Sequence, residues 1–508
     1  MTRDLDALTG RKHDVLVVGA GIHGAFAAWD AALRGLSVAI VDGGDFGGGA
    51  SANSLKIIHG GLRYLQQPDV ARMRESIRER AALLRIAPAL VRPLPFVIAT
   101  RGMGKQGAAA MGAALWLTDR IGFDRNAGIA GDRRIPDGRL IGRDEVARLA
   151  PDLPADGATG GALWYDGQAM DADRLTLACV RSAAARGAAA ANYVRVAGLI
   201  AGGDRVEGAR AVDEMSGREL AIRARVTIVA CGGNPAWLAG AGDPGRGAPM
   251  ALAMNLVTRR PLAGAAAFGV RFSAPPDPGG AGGRYLFVVP WRASTMIGTF
   301  YRLTTVAEAA GRPTPADLAG MLDQVRSAMP AFALTEADVR LVHAGLLPLE
   351  GERAPGASPR LAAHASVRSA RAGEITMIGV KFTTARHVAR IAVDRALDQL
   401  GRRTRCATHV TPLDMGAGPG AQAGDAIAPG AAISADAVRR TIRDEMALRL
   451  ADVILRRTPI GGEGCPPRDD LDAVARVMAA ELGWDETRRA GEIHAVRAAY
   501  APCGAHDD

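Results

Sequence analysis

The amino end of the chain alternates short apolar runs with one helical pattern. Residues 15–18 are VLVV, a continuous apolar run typical of a buried strand, and the run ends at Gly19. A helical pattern follows over residues 22–34 and stops at Gly35, and residues 37–41 form a second apolar run. This order predicts one β–α–β unit, in which the helix packs across two parallel strands.

The remaining hydrophobic pattern predicts a mixture of helices and strands. An amphipathic helix is expected over residues 69–87, because Pro88 cannot continue it. Residues 314–317, TPAD, form a helix start with a capping threonine, a proline in the first turn and an acid three residues after the cap. The other predicted elements are a one-sided apolar helix over 108–121, strands at 226–230, within 250–302 and at 375–379, and a helix over 383–399.

The carboxyl-terminal part has a different pattern from the rest. Residues 415–432 are rich in Gly, Ala and Pro and predict a linker. Residues 433–508 have helical periodicity and little strand pattern, so they predict a separate helical domain. The whole chain has 508 residues, more than one hydrophobic core usually supports, and two or three structural units are therefore expected.

The turn after the first predicted strand carries a glycine motif. Residues 19–24 are GAGIHG, the spacing GxGxxG placed directly between a strand and a helix. Its glycines permit a tight turn, close approach of a pyrophosphate and close packing of helix on strand, while the helix N-terminus offers free N–H groups. Asp42 ends the next strand, where an acid accepts hydrogen bonds from a ribose. The combination predicts a dinucleotide site; the alternative is a glycine-rich turn in an ordinary β–α–β unit.

The motif alone does not choose between NAD and FAD, but the order of the later elements does. In NAD enzymes the fold usually continues through further short β–α units. Here a long loop and a large insertion follow the second strand, and the next buried strand with a glycine ending comes only at 226–232. A last strand and helix follow near 375–384. A nucleotide fold interrupted in this way is typical of flavoproteins, so FAD is the expected cofactor.

The predicted fold class is α/β, with a split Rossmann-like FAD-binding domain, a mixed β-sheet substrate domain and a C-terminal helical domain. Residues 1–414 hold the first two domains, interleaved along the chain. The FAD-binding segments are approximately 12–90, 155–235 and 340–400, and the substrate segments approximately 91–154 and 236–339. The linker, 415–432, and the helical domain, 433–508, complete the chain.

Composition and charge exclude several classes of function. The formal net charge of +9 favours anionic ligands, but basic and acidic residues are interspersed and no nucleic-acid motif is present, so no nucleic-acid partner is expected. Five widely spaced cysteines argue against a metal site and against a disulfide framework. Residues 1–12 lack the apolar core of a secretory signal, and the apolar stretch 107–117 is too short to span a bilayer. A cytoplasmic location is therefore expected.

Several motifs resemble a known enzyme family. They are SANSLKIIHGGLRYL at 51–65, ALWYDGQ at 162–168 with Asp171 and Arg174, KFTT at 381–384 with Arg386, RRT at 456–458 and LGWDE at 482–486. Along nearly the whole chain they resemble FAD-dependent glycerol-3-phosphate dehydrogenases, which belong to the wider D-amino-acid oxidase-like flavoproteins. The resemblance implies an FAD-dependent oxidoreductase that oxidises a secondary alcohol by hydride transfer to flavin N5.

The resemblance also implies a catalytic set of His59, Arg63 and Lys381. His59 is the implied base for the hydroxyl proton, since its unperturbed pKa lies near neutrality. Arg63 is implied to hold an anionic or polar part of the substrate, with Tyr64 adding a hydroxyl contact. Lys381 is implied to bind substrate and to place a cation beside the flavin. Without the family, His59 is a loop histidine and the two cations are solvated side chains.

The expected cofactor site draws on several parts of the chain. Its members lie at glycine turns, at strand ends or in the 51–65 motif: Gly19, Ala20, Gly21, Gly24, Asp42, Ser51, Ser54, Lys56, His59, Gly60, Leu62, Val194, Gly232, Gly379, Lys381 and Thr383. His23, inside the glycine motif, is interpreted as a filler at a permissive position. No metal ligand is expected.

The chain departs from the family pattern where a substrate phosphate is held. Family members carry an arginine in a Gly-x-Arg-Pro-Leu segment, and here residues 345–349 are GLLPL, with Leu347 in its place. A second family arginine aligns with His364. Each lost charge-assisted contact is worth about 1.5–3 kcal/mol, so weak binding of glycerol 3-phosphate is expected. Three other arginines offer compensation: Arg302, Arg353 and Arg360.

Two alternatives to the family's own reaction stay open. One is a related flavin dehydrogenase or oxidase acting on a non-phosphorylated polyol, hydroxy acid or amine. The other is a flavin-binding protein that has lost turnover. For the electron acceptor, quinone and oxygen both fit.

Peripheral contact with the inner membrane is also expected. The family tends to pass electrons to membrane quinone, and this chain combines basic charge with the apolar stretch 108–117. The alternative is that this helix is buried in the substrate domain.

Overall fold

The computed structural model describes residues 1–62, 69–233, 249–272, 284–305, 312–350, 360–416 and 433–500. Two large β-sheets and a set of C-terminal helices make up the described part of the chain. Arg63, Tyr64 and Arg353, which the sequence singled out, lie outside the described residues, as does most of the predicted linker.

The elements of the described residues follow in chain order. The strands are β1 (His13–Val18), β2 (Val38–Val41), β3 (Ile57–Ile58), β4 (Val91–Thr100), β5 (Arg139–Ile141), β6 (Gly160–Ala169), β7 (Ala189–Ala191), β8 (Val194–Gly202), β9 (Arg205–Asp213), β10 (Glu219–Val229), β11 (Pro249–Thr258), β12 (Ala267–Phe272), β13 (Arg284–Trp291), β14 (Ser294–Thr305), β15 (Val339–Pro348), β16 (Ser366–Arg368) and β17 (Glu374–Ile378). The helices are α1 (Leu5–Thr9), α2 (Ile22–Leu33), α3 (Val70–Ile86), α4 (Ala108–Ile121), α5 (Arg143–Leu149), α6 (Ala172–Ala184), α7 (Pro315–Ala328), α8 (Ala385–Leu400), α9 (Ala435–Glu445), α10 (Leu450–Asp452), α11 (Arg468–Leu482) and α12 (Glu486–Ala498), with a π-helical turn at Val453–Arg457.

The first sheet is built around the predicted β–α–β unit, which is confirmed. Its strands run in the order β16–β17–β10–β1–β2–β7, and the five from β17 to β7 are parallel. The apolar runs are buried on both faces of this sheet. The helices α2, α6 and α8 cover one face in a single core, and α1, β8 and β9 cover the other. The carboxyl ends of β1, β2, β10 and β17 therefore meet at one edge of the sheet.

Local signals in the sequence located several helices well. Asp69 caps α3 through the N–H of Arg72, and the helix ends before Ala87. Thr314 and Asp317 form the predicted capping box at the start of α7. The helix expected over residues 108–121 is α4, with the same bounds.

The second sheet is mixed and runs in the order β15–β11–β14–β13–β12–β4–β6–β3, with β5 beside β6. It includes β3, β6 and most of β15, which lie within the segments that the sequence assigned to FAD binding. The physical reason is burial: the inward residues of β4, β11, β12 and β15 pack with α7 in one hydrophobic core separate from that of the first sheet. The two sheets are thus more finely interleaved along the chain than the hydrophobic pattern indicated.

The C-terminal helices share a core with the second sheet. Val438, Val474 and Tyr500 pack in the same hydrophobic cluster as Trp291 and Leu341 of that sheet. Within the described ranges, no helix combines the length and the hydropathy needed to cross a membrane. The same described ranges contain no cluster of three or more His, Cys, Asp or Glu side chains placed to hold a metal ion.

Candidate active site

A large cleft opens where the carboxyl ends of the parallel strands meet the second sheet. Its cavity volume is about 1340 Å³, and its walls come from the first sheet, the second sheet and the C-terminal helices. Val18 at the end of β1, Asp42 after β2, Cys231 after β10 and Gly379 after β17 all line it. A crevice outside the carboxyl ends of the strands is where α/β folds of this kind bind their ligands.

The glycine turn at the start of α2 is shaped by close backbone contacts. Gly19 has a φ of 96°, in the left-handed region that favours glycine. A Cβ on Gly24 would lie 1.9 Å from the carbonyl oxygen of Gly19, so only glycine allows this approach. Gly21 is the N-cap of α2, and the N–H of Ile22 donates to Ser51 Oγ at 2.9 Å. The turn therefore brings bare backbone and the helix N-terminus to the cleft, which suits an anionic pyrophosphate.

Asp42 lies beside this turn and is half-buried at the edge of the cleft. Its Oδ2 accepts a hydrogen bond from the N–H of Ala20 at 2.6 Å, and its Oδ1 accepts one from Gly44 at 2.9 Å. Burial raises the pKa of Asp42 to about 6, and these two backbone donors offset only part of that effect. The N–H of Val194 donates to the Asp42 carbonyl at 2.7 Å, which brings the start of β8 to the same place. A half-buried acceptor lining the cleft at this point suits the hydroxyl groups of a ribose.

Another part of the wall, next to the glycine turn, is formed by the segment after β17. Gly379 and Lys381 line the cleft, and the ring of His23 lies so close that a Cβ on Gly379 would be 2.1 Å from its Cε1 and Nε2 atoms. His23 also lines the cleft, and burial lowers its pKa to about 4. The interpretation of His23 as a filler therefore missed a contact, and the sequence gives no signal for it.

The predicted base and the predicted cation come from segments that are hydrogen-bonded to each other. The N–H of His59 donates to Thr383 Oγ1 at 3.2 Å, and Thr383 is buried two residues after Lys381. Thr384 caps α8, so the positive end of that helix dipole lies at this segment. His59 is half-buried. The structure thus brings the 51–65 motif and the 381–384 motif together.

The ALWYDGQ motif supports the glycines after His59. Asp166 accepts a hydrogen bond from the N–H of Gly60, forms an ion pair with Arg80 at 2.7 Å and accepts one from Trp164 Nε1 at 3.2 Å. All four residues are buried. The family resemblance implies no role for this motif. Its contacts indicate that it fixes the turn that carries His59.

A buried lysine lies in the wall of the cleft. Lys56 has a side chain whose Nζ donates to the carbonyl of Ala52 at 2.5 Å and lies 5.5 Å from the ring centre of Trp291. The residue is only 3% exposed, and burial lowers its pKa, while Asp173 and Asp171 act in the opposite direction. Trp291 carries no motif signal, and the sequence did not single it out.

The expected cofactor residues divide into two groups by position. Those that line the cleft are Gly19, Gly21, Asp42, Ser51, Ser54, Lys56, Val194, Gly232, Gly379 and Lys381. The expected cofactor residues that are not among the described residues lining the cleft are Ala20, Gly24, His59, Gly60, Leu62 and Thr383. Of these, Ala20 and Gly24 contact the lining residues Asp42 and Gly19, and Thr383 is bonded to His59. Leu62 borders a small separate cavity with Gly60.

The residues at the expected phosphate positions lie in different places. Leu347 lines the cleft on β15, in register with Ala251 of β11, which in turn is in register with Leu303 of β14. His364 is exposed and is not part of the described lining. Of the compensating arginines, Arg302 is paired with Asp317 at 2.8 Å. Arg312 and Tyr301 line the cleft as well, and the sequence did not select them.

The comparison with protein families decides the class of the molecule. Residues 14–395 match the model described as FAD dependent oxidoreductase, and residues 414–489 match the C-terminal domain of alpha-glycerophosphate oxidase. The chain belongs to the FAD-dependent oxidoreductase family.

Curated relatives of this family member are glycerol-3-phosphate dehydrogenases. The protein from Synechocystis sp. is 30% identical over 439 residues, covering 83% of this chain and 76% of that one. Glycerol-3-phosphate dehydrogenase 2 of Mycobacterium bovis is 33% identical over 400 residues, covering 77% of this chain and 64% of that one. The mitochondrial enzyme of Mus musculus is 31% identical, and this chain spans 53% of its length.

Solved structures of the family show the same fold. The glycerol-3-phosphate dehydrogenase from Bacillus halodurans, complexed with FAD, has a TM-score of 0.72 at 22% identity and covers 98% of this chain and 96% of its own. The L-alpha-glycerophosphate oxidase from Mycoplasma pneumoniae, with FAD bound, has a TM-score of 0.57 at 15% identity and covers 80% of this chain and 99% of its own.

The cleft of this flavoprotein fits FAD. The glycine turn and α2 offer donors for the pyrophosphate, Asp42 offers an acceptor for the ribose, and the cleft continues to Lys381 on the far side. The C-terminal region adds Arg456, Thr458 and Ala498 to the lining, although the sequence predicted a separate domain there. For Arg456 a signal existed, because RRT was one of the matching motifs.

Proposed function

We propose that this FAD-dependent oxidoreductase oxidises the secondary alcohol of a glycerol-3-phosphate-like substrate. The observation that carries the proposal is the hydrogen bond from the N–H of His59 to Thr383, which joins the implied base to the segment bearing Lys381. Bound FAD supplies the hydride acceptor, at flavin N5. His59 removes the hydroxyl proton, and Lys381 in the cleft wall holds electron-rich oxygen atoms of the substrate.

Arg63 and Tyr64 stay predicted substrate ligands. They follow the Gly60–Gly61 turn that Asp166 and Arg80 support. The planar fork of donors of an arginine suits an anionic or hydroxyl-rich group on the substrate.

A second candidate is a substrate without a phosphate, and Leu347 is the observation that favours it. This apolar side chain lines the cleft, with Ala251 beside it on β11. An apolar surface cannot compensate a dianion for the water it loses on binding. A non-phosphorylated polyol carries no charge and avoids that penalty, whereas a hydroxy acid or an amine carries a single charge and has a smaller penalty than a dianion.

Anaerobic bleaching of the flavin absorbance separates the two candidates. The FAD-loaded protein is mixed with glycerol 3-phosphate, glycerol, 2-hydroxy acids and simple amines, and the rate is followed against concentration. Saturable bleaching by glycerol 3-phosphate at micromolar concentration supports the first candidate. Bleaching by a non-phosphorylated compound at lower concentration than glycerol 3-phosphate supports the second. Stable FAD that no compound bleaches contradicts both.

We also propose peripheral contact with an anionic membrane, through the face formed by α4 and its neighbours. On α4 only Leu115 is buried, whereas Trp116 is 61% exposed and nearby Phe123 is 79% exposed. Leu140 lies against α4 at Gly112, and Arg120 lies 5.3 Å from the ring centre of Trp116. Exposed aromatic side chains with adjacent arginines suit the interface of an anionic bilayer. A quinone acceptor fits such contact, and oxygen is the alternative.

Vesicle co-sedimentation tests this contact. The full chain should pellet with vesicles containing about one third anionic lipid at low salt, and Trp116→Ser with Phe123→Ser should leave most of it in solution. Val410→Ser is the control, because Val410 is a 51% exposed apolar side chain outside α4. Absence of pelleting at every ionic strength contradicts the proposal.

A further inference from the structure

Two adjacent arginines of the C-terminal region reach the cofactor half of the molecule. Arg456 and Arg457 end the π-helical turn, and both contact Asp45 in the loop after β2. Arg457 binds this carboxylate with both ends of its guanidinium, Nη2 to Oδ1 at 2.6 Å and Nη1 to Oδ2 at 2.7 Å. The side chains of Arg457 and Asp45 are each 1% exposed. This is a buried, bidentate ion pair between residues 412 positions apart.

The loop that carries Asp45 is part of the cofactor cleft. The N–H of Gly44 donates to the Asp42 carboxylate at 2.9 Å, on one side of Asp45. On the other side, the N–H of Gly47 donates to the carbonyl of Ala20, in the glycine turn, at 3.0 Å. Hydrogen bonds from its two neighbours therefore link Asp45 to the carboxylate of Asp42, the expected ribose acceptor, and to the glycine turn expected to hold the pyrophosphate.

A second carboxylate fixes Arg456. Its Nε donates to Asp45 Oδ2 at 2.5 Å and its Nη2 to Asp452 Oδ1 at 2.6 Å. Asp452 also accepts a hydrogen bond from the hydroxyl of Tyr193 at 2.6 Å. Burial acts to raise the pKa of Asp45, but Arg457 and Arg456 outweigh it and lower that pKa. Two arginines thus face the carboxylates of Asp45 and Asp452, with Glu445 Oε2 a further 4.0 Å from Arg457 Nε. Removing any one of these side chains unbalances a cluster of buried charges.

One arginine of this pair borders the cleft directly. Arg456 lines it together with Thr458, while Asp42 lines it from the first sheet. The positive charge of Arg456 acts to lower the pKa of Asp42, against the larger effect of burial, which raises it. The C-terminal region therefore forms part of the wall of the cofactor cleft. It is also bonded to the loop after β2 that carries Asp45.

We propose that Arg456 and Arg457 are positioning residues for FAD. By holding Asp45, they keep the loop of residues 42–52 in the shape that the ribose and pyrophosphate end of the cofactor requires. The RRT motif at 456–458 then sets the affinity for FAD from outside the FAD-binding segments. The inference concerns the cofactor alone and does not depend on which substrate is oxidised.

Fluorescence titration of the deflavinated full chain with FAD tests the inference. Arg457→Lys keeps the charge but loses the fork, and Asp45→Asn keeps the shape but loses the charge. Each variant is expected to raise the Kd for FAD about 10- to 100-fold. Arg443→Gln is the matched control, because Arg443 is a 66% exposed arginine of the same region, paired with Glu481. It should leave the Kd within about twofold, as expected for an exposed pair.

Two further measurements distinguish positioning from simple support of the fold. Under the proposal, the difference in Tm between FAD-loaded and deflavinated protein shrinks in the variants, because weaker binding adds less stability. The Kd for ADP, which carries the ribose and pyrophosphate end, should rise by a similar factor to that for FAD. Equal loss of Tm in both forms with an unchanged Kd for FAD overturns the proposal, and so does an unchanged Kd for ADP. If Arg457→Lys does not fold, Arg456→Lys and Asp45→Asn provide the same comparison.

Discussion

The N–H of His59 donates a hydrogen bond to the hydroxyl of Thr383 at 3.2 Å, between residues 324 positions apart. This contact joins the turn after β3 to the segment between β17 and α8. Because Lys381 lies two residues before Thr383, this bond places His59 beside the segment that brings Lys381 to the cleft, although His59 is itself not among the described residues that line the cleft.

His59→Asn should slow reduction of the flavin by substrate about 10²–10⁴-fold while FAD stays bound. The variant loses the proton acceptor, but its backbone N–H still bonds to Thr383, so the turn is kept. The rate is measured by anaerobic stopped-flow absorbance. His494→Asn, an exposed histidine of α12, is the control and should behave as the wild type. A His59→Asn enzyme reduced at the wild-type rate returns His59 to a structural role.

Gly24→Ala should lose most bound FAD and lower the Tm. The new Cβ would lie 1.9 Å from the carbonyl oxygen of Gly19, so the turn must open, with an expected cost of about 1–3 kcal/mol. Gly320→Ala in α7 is the control, because nothing lies within 4 Å of its Cβ position, and it should stabilise by about 0.5–1 kcal/mol. The measurements are the flavin-to-protein absorbance ratio and thermal unfolding. Full FAD content in Gly24→Ala would contradict the role given to the turn.

Leu347→Arg should improve the use of glycerol 3-phosphate, mainly through a lower KM. It restores a cation where the family presents one, and a charge-assisted bond to phosphate is worth about 1.5–3 kcal/mol. Leu303→Arg is the control. It adds the same charge two strands away, at the position of β14 aligned with Leu347 through Ala251, and Leu303 is not among the described residues that line the cleft. This variant should leave the KM for glycerol 3-phosphate almost unchanged. Steady-state or bleaching kinetics decide. A wild-type protein that already saturates at micromolar glycerol 3-phosphate shows that another group holds the phosphate.

His23 should make the deflavinated protein less stable in mild acid. Burial lowers its pKa to about 4 from an ordinary value of 6.5, and its Nε2 has no hydrogen-bond partner among the residues that the structure describes. Between these two values the unfolded chain binds a proton that the folded protein does not, so the free energy of unfolding falls as the pH falls. His23→Gln should remove about 2 kcal/mol of this dependence between about pH 7.5 and pH 5.

Urea unfolding at several pH values measures the effect of His23. The exposed His494→Gln variant is the control and should keep the wild-type pH dependence. Identical pH dependence in His23→Gln and the wild type would show that His23 is not buried as a neutral ring in solution.

Some features of this protein follow from the sequence alone. The residues 19–24 and Asp42 predicted the β–α–β unit and its cofactor edge, and TPAD at 314–317 predicted a capped helix. In each case the signal and the structure that it specifies lie within one strand, one helical turn or one short connection. Local sterics and hydrogen bonding are then sufficient, because the residues that make the contacts are neighbours in sequence.

Other features were decided only by the tertiary structure. The assignment of β15 to the second sheet depends on what its side chains bury, and the exposure of Trp116 on α4 depends on which of the described segments pack against that helix. The pairing of Arg457 with Asp45 joins residues 412 positions apart. A hydrophobic period indicates that one face of an element is buried, but not which other element buries it. In the same way, the sequence around an ionisable side chain does not identify the oppositely charged residue that will pair with it. These pairings depend on the packing of the whole chain, because residues that are distant in sequence come into contact only when the chain is folded.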